Sequence, residues 1–508
     1  MPAYGLFPCE RFVVTTGHAL AEELAQPALW YFRHETVAVA KDRMAGVGAQ
    51  HRLSVWDDLR AWHAATSVGS ELAPPPLIWL GAPDVLRRVE LGVEGRVARP
   101  DGGQMALELV PRLPLNRAYF DRSSEVYFCG QPLKLRGQHA EQTFVARSFW
   151  PENFRLPENP VRSEMAAEPA ALRVWVRAQP SGGAREPFSV ESVWRRPGSN
   201  GPQAGQAVLG LMLNGAQGDD DEAHSGHFAL MTGYLGEQGA IDDWLVNNFY
   251  TLDTESEKGI IAAPVPLDNY LGNLNSGQAW YRPSYMLVAI LNDARTATHL
   301  QSALGRVYDQ FYRHRFAYHH GHTNCTGISV STARALGWQV VARGAESWLK
   351  AMLALPLTAI RELSLRQGKK MFDYLSEDQT RLYPAAAFEE MGADLLRLAS
   401  GQGGRPLSEF ERLLGDDIGE ILLVRVPQFP SSRAWGDYPV ENSVEYRARL
   451  PKDPADQQIV PVPPRPFPDE FRDPLAPAEP PLRSDYAVAG WGLAIVALMV
   501  LILNRVLA

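Results

Sequence analysis

The stretch HTNCTGIS, residues 322–329, places one cysteine directly before a segment that we predict to be a helix. Thr323 and Asn324 are both favourable N-cap residues, and apolar residues follow at helical spacing as far as Leu336. Cys325 would then lie in the first turn of the helix, where unpaired N–H groups and the positive end of the helix dipole stabilise a thiolate. The stretch therefore predicts a nucleophilic cysteine, with a packed, inert thiol as the alternative.

A thiolate enzyme also needs a group that accepts and returns protons, and a strand-borne histidine is the usual one. His227 follows an acidic loop and begins a short apolar run, so we predict that it starts a strand. The next strand-like run, residues 242–253, contains two asparagines, and alternation places Asn248 on one face of that strand. A buried asparagine must form hydrogen bonds, and orienting the His227 ring would satisfy Asn248.

The order of these residues resembles the circularly permuted papain-like superfamily of the NlpC/P60 type. That superfamily includes lecithin:retinol acyltransferase-like enzymes and bacterial lipoprotein N-acyltransferases of the Lnb type. The resemblance rests on GHFAL (226–230), VNNFYTLD (246–253) and NCTG (324–327), with the histidine preceding the cysteine. It covers roughly residues 200–345, which is less than a third of the chain.

The resemblance implies roles for three residues. Cys325 would be the nucleophile, His227 the base and acid, and Asn248 the orienting residue. The implied activity is a cysteine-dependent acyl hydrolase or acyltransferase that acts on a lipid or lipid-modified substrate through a thioester, without a cofactor. A cysteine peptidase or amidase with the same residues is one alternative, and a non-catalytic membrane-tethered scaffold is another.

Histidines close to the cysteine raise the possibility of a zinc site. His319, His320 and His322 lie in one short stretch, and His314 precedes them. A zinc site needs four ligands in tetrahedral reach, and adjacent histidines point in different directions on any regular element. We therefore expect no metal at this position.

The composition excludes one class of partner and indicates a compartment. The net charge is -9 and the basic residues are scattered among acids, so the chain lacks the clustered cations that a nucleic acid requires. Three cysteines spread over the sequence cannot form a disulfide framework, which favours a reducing environment. The N-terminal residues lack the pattern of a secretory signal, so we expect the globular part to be cytoplasmic.

The C-terminal part of the sequence differs from the rest. Residues 451–485 are nearly one-third proline, which predicts a semi-rigid spacer. Residues Ala487 to Leu503 form an uncharged apolar run of 17 residues, just long enough to cross a hydrocarbon core of roughly 30 Å. We predict a single-pass C-terminal anchor within residues 486–508, which would give the protein a membrane location and access to lipid substrates.

Secondary-structure patterns predict an α+β fold. Residues 1–165 mix helical and strand-like stretches and form an N-terminal region of unknown role. Residues 166–450 would form the permuted papain-like domain, in which an antiparallel sheet packs on the cysteine-bearing helix and a helical insertion follows. Its predicted strands include LRVWVRA (172–178), PFSVESVWRR (187–196) and AVLGLMLNG (207–215).

Helices are predicted from apolar positions at helical spacing. Leu300, Leu304, Val307 and Phe311 share one helical face. A second helical region runs over residues 345–365 with a proline kink, and others run over residues 19–32, 54–65 and 386–400.

Overall fold

The computed structural model describes most of the chain. The described residues are 2–16, 26–41, 53–70, 73–92, 96–98, 101–113, 119–216, 225–252, 259–402, 404–432, 435–453 and 465–471.

The strands occupy both halves of the molecule. In chain order they are β1 (Ala3–Tyr4), β2 (Phe7–Pro8), β3 (Phe12–Thr16), β4 (Thr36–Ala40), β5 (Leu77–Gly81), β6 (Asp84–Leu91), β7 (Arg96–Ala98), β8 (Gln104–Leu109), β9 (Leu133–Ala140), β10 (Thr143–Pro151), β11 (Val161–Arg162), β12 (Ser189–Arg195), β13 (Ala207–Asn214), β14 (His227–Tyr234), β15 (Leu245–Asn248), β16 (Ala263–Pro266), β17 (Ser284–Leu291) and β18 (Ile418–Val426).

The α-helices are concentrated in the second half. In chain order they are α1 (Gln26–Tyr31), α2 (Val55–Ala65), α3 (Arg122–Phe128), α4 (Pro169–Val176), α5 (Leu267–Gly272), α6 (Gln278–Tyr281), α7 (Arg295–Tyr312), α8 (Cys325–Ala335), α9 (Trp348–Arg361), α10 (Leu365–Ser376), α11 (Gln379–Leu382), α12 (Pro384–Ser400), α13 (Glu409–Asp417) and α14 (Ser443–Arg449).

An eight-stranded sheet forms the centre of the molecule, with the strand order β11-β12-β18-β17-β13-β14-β15-β16. Every neighbouring pair is antiparallel except β11 with β12. The central strands β13 and β17 are buried at every position, because both faces of the sheet are covered. Their sequences accordingly read as almost continuous apolar runs rather than as an alternation.

Helices cover one face of this sheet. Gln301 of α7 accepts hydrogen bonds from Thr232 of β14 and Asn247 of β15, at 2.6 and 2.9 Å. Gly392 of α12 packs against Leu287 of β17 on the same face, as the strand register shows. The amphipathic pattern of α7 therefore serves to bury one helical face on the sheet.

The N-terminal region contains a closed barrel with the strand order β10-β8-β7-β6-β9. The barrel closes through a parallel pairing of β8 with β10. A three-stranded sheet, β3-β4-β5, adjoins it. Ser148 of β10 donates a hydrogen bond of 2.9 Å to Asn269 of α5, so α5 connects the barrel with the central sheet.

A buried ion cluster fixes the barrel to the central region. Lys134 of β9 is 1% exposed and forms ion pairs with Asp242 at 2.5 Å and with Asp268 at 3.0 Å. Arg136 donates to the same Asp268 at 2.7 Å. Burial raises the pKa of Asp242, but the Lys134 and Arg87 charges outweigh this effect and hold that pKa well below its usual range. Asp242 is therefore charged at neutral pH.

The predicted transmembrane anchor requires correction. Among the helices that the structure describes, none is long and apolar enough to cross a bilayer. The longest of these, α7, has 18 residues but carries arginine, histidine and aspartate along its length. The fold class that included a C-terminal transmembrane helix, and the single-pass membrane location derived from it, are therefore not supported. The apolar run 487–503 lies outside the described residues.

One further prediction differs from the structure. LRVWVRA (172–178) was predicted to be a strand, but residues 169–176 form α4, in which Leu172 and Val176 are buried one helical turn apart. Most of the proline-rich stretch 451–485 lies outside the described residues, but residues 465–471 pack on the body of the protein. Phe467 is buried, and its ring stacks on Tyr31 with a centroid distance of 5.7 Å.

Candidate active site

Cys325 is the first residue of α8, as the sequence predicts, and only 5% of its surface is exposed. Asn324 is the N-cap, and its Oδ1 accepts a hydrogen bond of 2.7 Å from the Gly327 N–H. The Asn324 Nδ2 donates to the carbonyls of His320 and Leu382, both at 3.0 Å. This cap side chain is thus held from both sides, which fixes the start of the helix and the position of the thiol.

His227 is the first residue of β14 and is 6% exposed. The preceding Gly226 has a φ of 81°, in the left-handed region that favours glycine. A Cβ there would lie 2.6 Å from the Asn214 carbonyl oxygen and 2.6 Å from Pro439. The chain therefore enters β14 through a turn that only glycine permits, and this turn sets the position of the histidine.

The thiol and the imidazole interact. Burial raises the pKa of the Cys325 thiol, but the charge of the His227 imidazole and a hydrogen bond from it outweigh burial. The N–H of Phe228 and the hydroxyl of Thr326 act in the same direction, and together they lower the pKa to about 6. Thr326 Oγ1 lies 3.7 Å from the sulfur. The thiol is thus largely ionised at neutral pH, which is the form that a nucleophile requires.

Nε2 of His227 is buried and, within the described residues, makes no hydrogen bond of full geometry. Hydrogen bonds between catalytic groups are often long or poorly aligned in the absence of substrate.

Asn248 lies on the same face of the sheet as His227, because Leu230 pairs with Asn247 and the side chains alternate. Its Nδ2 donates to the Ile261 carbonyl at 2.8 Å, but no hydrogen bond joins its side chain to His227. Its Oδ1 is buried and has no partner among the described residues. The predicted orienting role stays a prediction, and the unpaired Oδ1 is the atom that could fulfil it.

A second asparagine near the histidine has a hydrogen-bond partner at each polar atom of its side chain. Asn214 pairs with His227 across β13 and β14. Its Oδ1 accepts from the Tyr270 hydroxyl at 2.5 Å, and its Nδ2 donates to Ser284 at 2.8 Å. Each polar atom of the Asn214 side chain thus already has a partner, whereas the Oδ1 of Asn248 has none among the described residues, which makes Asn248 the better candidate.

Tyr318 is a site residue that the sequence did not single out for catalysis. Its hydroxyl lies close enough to Cys325 to interact with both the sulfur and the backbone N–H of that residue. Burial raises the pKa of Tyr318 well above its usual value, and the nearby thiol raises it further. The phenol therefore keeps its proton at neutral pH and can donate a hydrogen bond.

A cavity of about 790 Å³ opens in front of the thiol. Cys325 and His227 line one wall, and the helices α9, α10 and α14 supply the opposite one. The aliphatic lining residues are Ile260, Ala354, Leu357, Met371, Leu375 and Leu382. The aromatic ones are Tyr250, Tyr318, Tyr374, Tyr383 and Tyr446, and the cations are Arg282, Arg361 and Arg447. This is a largely apolar cavity with a few polar groups, as small-molecule sites usually are.

Of the histidines of the zinc hypothesis, His320 lines the same cavity as Cys325, whereas the others lie elsewhere. The rings of His319 and His322 stack at a centroid distance of 5.1 Å, and both residues are exposed. The His314 ring instead packs against Phe467 at 4.1 Å. In the part of the chain that the structure describes, no group of three or more histidine, cysteine, aspartate or glutamate residues could hold a metal ion.

Comparison of the chain with protein-family models, with curated proteins and with solved structures gave no match. The papain-like superfamily therefore stays a resemblance carried by the three motifs, and the function has to be argued from the site.

Proposed function

We propose that this protein is a cysteine-dependent acyl hydrolase or acyltransferase. The observation that carries the proposal is an ionised thiol at the start of α8, paired with a histidine and facing a largely apolar cavity. A packed structural cysteine would gain nothing from a pKa of about 6. Strongly lowered thiol pKa values in a cavity are typical of nucleophiles.

The proposed reaction has two steps. The Cys325 thiolate attacks the acyl carbonyl carbon and forms a C–S bond, and collapse of the tetrahedral intermediate breaks the bond to the leaving oxygen or nitrogen. The His227 imidazolium gives its proton to that leaving group. Water, or an acceptor hydroxyl or amine, then attacks the thioester, transfers its proton to the imidazole and releases the thiolate.

Two donors next to the sulfur would stabilise the oxyanion. The Gly327 N–H is occupied by the Asn324 cap, whereas among the described residues the Cys325 N–H contacts only the Tyr318 hydroxyl, which could rotate to donate alongside it once an oxyanion is present. The Tyr318 hydroxyl lies beside that same N–H and stays protonated. Together they would form a backbone and side-chain pair for the developing negative charge.

The cavity lining favours an acyl chain over a polar peptide. Its aliphatic and aromatic side chains would bury a hydrocarbon tail, while Arg361 and Arg447 offer cations to an anionic group on the substrate. We therefore infer that the substrate is a lipid or an acylated molecule. Each methylene that the cavity buries contributes about 0.8 kcal/mol, so kcat/KM for esters of increasing chain length should rise up to about fourfold per methylene.

Acyl-enzyme trapping tests the mechanism. The purified protein is mixed with phospholipid or a long-chain acyl ester, quenched in acid and analysed by intact mass spectrometry. We expect an adduct of one acyl group on the wild type and on Cys129→Ser, and none on Cys325→Ala. An adduct that persists in Cys325→Ala, or a wild type that never acquires one from any acyl donor, would exclude the proposal.

A peptidase or amidase would use the same three residues. The two activities are separated by comparing long-chain esters with peptide amides under the same conditions. Turnover of peptides that exceeds turnover of acyl esters would favour the peptidase.

A further inference from the structure

Helices α9 and α10 form a hairpin whose outer surface is unusually apolar. Eight large apolar side chains of this hairpin are at least 40% exposed. The most exposed are Leu349 at 68%, Leu357 at 67%, Ile360 at 66% and Leu363 at 92%. Contiguous exposed apolar surface on a folded domain marks a contact site.

The turn of the hairpin carries the most exposed of these residues. Leu363 has a φ of 49°, in the left-handed region where leucine is disfavoured and asparagine or glycine is preferred. Ser364 follows it and caps α10 by accepting from the Gln367 N–H. A leucine at this position is strained and buries almost nothing within the chain, so packing within the described residues gives no reason for an apolar side chain there.

The hairpin is a preformed unit. Gly368 of α10 packs so closely on α9 that a Cβ there would lie 2.5 Å from the Leu355 carbonyl oxygen and 2.9 Å from Ala359. Close packing of this kind holds the two helices in one geometry. The exposed side chains are therefore presented on a rigid support.

The charge of the hairpin is opposite to that of the chain. Residues 348–376 contain five basic side chains, Lys350, Arg361, Arg366, Lys369 and Lys370, and two acidic ones, in a protein of net charge -9. Arg366 and Lys370 are exposed and form no ion pair within the described residues. A basic amphipathic surface with an exposed tryptophan, Trp348 at 60%, matches the interface of an anionic bilayer.

The inner side of the same hairpin belongs to the cavity. Ala354, Thr358 and Tyr374 line the cavity that contains Cys325. Leu357 both lines the cavity and is exposed, so it lies at the rim. Contact of the outer surface with a lipid phase would therefore bring the cavity mouth to that phase.

We propose that the α9–α10 hairpin is a docking element that lays its apolar side chains into the interface of an anionic phospholipid bilayer. The contact is peripheral and uses the outer surface and the turn at Leu363. Binding can be measured without turnover, so its failure is distinguishable from failure of the acyl-transfer mechanism.

Vesicle co-sedimentation of the full chain tests this proposal. We expect the wild type to bind vesicles of phosphatidylcholine with 30% phosphatidylglycerol more tightly than pure phosphatidylcholine, and to release as salt rises. Leu363→Asn suits the left-handed turn, so it should keep the melting temperature while weakening binding by about tenfold. Arg366→Gln/Lys370→Gln should weaken binding chiefly to anionic vesicles.

Val161→Asn is the matched control, because Val161 is 73% exposed on β11 at the far edge of the central sheet. Every variant keeps residues 486–508, so a difference between them reports on the hairpin. Equal binding of wild type and Leu363→Asn would overturn the proposal. The proposal would also be overturned if the wild type does not bind vesicles but forms a dimer that Leu363→Asn dissociates. That result would assign the surface to contact with a second copy of the chain.

Discussion

Cys325 and His227 begin two different elements, α8 and β14, and meet at one end of the central sheet. Burial raises the pKa of the thiol, but the imidazole outweighs burial and brings that pKa to about 6. The reactivity of the thiol therefore depends on a residue that is distant in sequence.

The Cys9→Ser/Cys129→Ser variant leaves Cys325 as the sole cysteine for alkylation. Its rate with iodoacetamide should reach half its plateau near pH 6, because the rate follows the thiolate fraction. In the His227→Ala background only the Phe228 N–H and the Thr326 hydroxyl oppose burial, so the pKa of the thiol should return toward its usual value and the rate at pH 7 should fall by up to about 100-fold. An unchanged pH profile in the His227→Ala background would show that the pair does not interact.

Adjacent asparagines on β15 offer a matched pair of variants. Asn248→Ala should lower turnover by about tenfold or more with little change in melting temperature, if its unpaired Oδ1 orients His227. Asn247→Ala should instead lower stability by about 1–3 kcal/mol, because it leaves the buried Nε2 of Gln301 on α7 without its acceptor. Kinetics and thermal melts of both variants distinguish the roles, and the reverse outcome would remove Asn248 from the site.

Lys134 should be critical for stability. Lys134→Met leaves the Asp242 and Asp268 carboxylates buried without their shared cation, which should cost about 3–5 kcal/mol in urea unfolding. Arg122→Ala is the control, because its pair with Glu125 is exposed and should contribute less than about 0.5 kcal/mol. Similar losses for both variants would mean that the buried cluster does not secure the barrel.

The buried histidine of α7 should make the fold acid-sensitive. Burial and the neighbouring His63 lower the pKa of His299 to about 4, whereas an unfolded histidine has a pKa near 6.5. Because the pKa of His299 is lower in the folded state, its contribution to the free energy of unfolding is fully present above pH 6.5. That contribution is lost as the pH falls from 6.5 toward 4, by up to about 3 kcal/mol. Urea midpoints across this range should fall for the wild type and fall less for His299→Asn. An equal fall of the urea midpoint in the wild type and in His299→Asn would contradict the lowered pKa of His299.

Much of the fold could be predicted where local pattern and packing agree. The face of Leu300, Leu304, Val307 and Phe311 is buried along α7, and residues 386–400 lie within α12. The strand predicted at residues 172–178 was wrong, although the β-branched residues there favour a strand. There Pro169 begins a helix, and burial of Leu172 and Val176 one turn apart outweighs propensity.

The barrel and part of the site depend on contacts that no local pattern reveals. The barrel closes only when Ala106 pairs with Thr143, a pairing set by tertiary packing. The helical N-cap pattern was enough to place Cys325. Tyr318 reaches the thiol because His319 and Thr323 pair and fold the chain back onto the start of α8. In the sequence Tyr318 is only an aromatic residue next to the histidines, and this position did not indicate that it contacts the thiol.

Because Cys325 and His227 lie on two different elements, ionisation of the thiol reports whether the molecule is folded. Ionisation of the sulfur requires α8 to be docked on β14, because the imidazole and the Phe228 N–H both come from that strand. A chain that has not yet assembled, or has come apart, carries an ordinary thiol. The rate of thiol alkylation at neutral pH therefore distinguishes folded from unfolded molecules in one sample, even before any substrate is known.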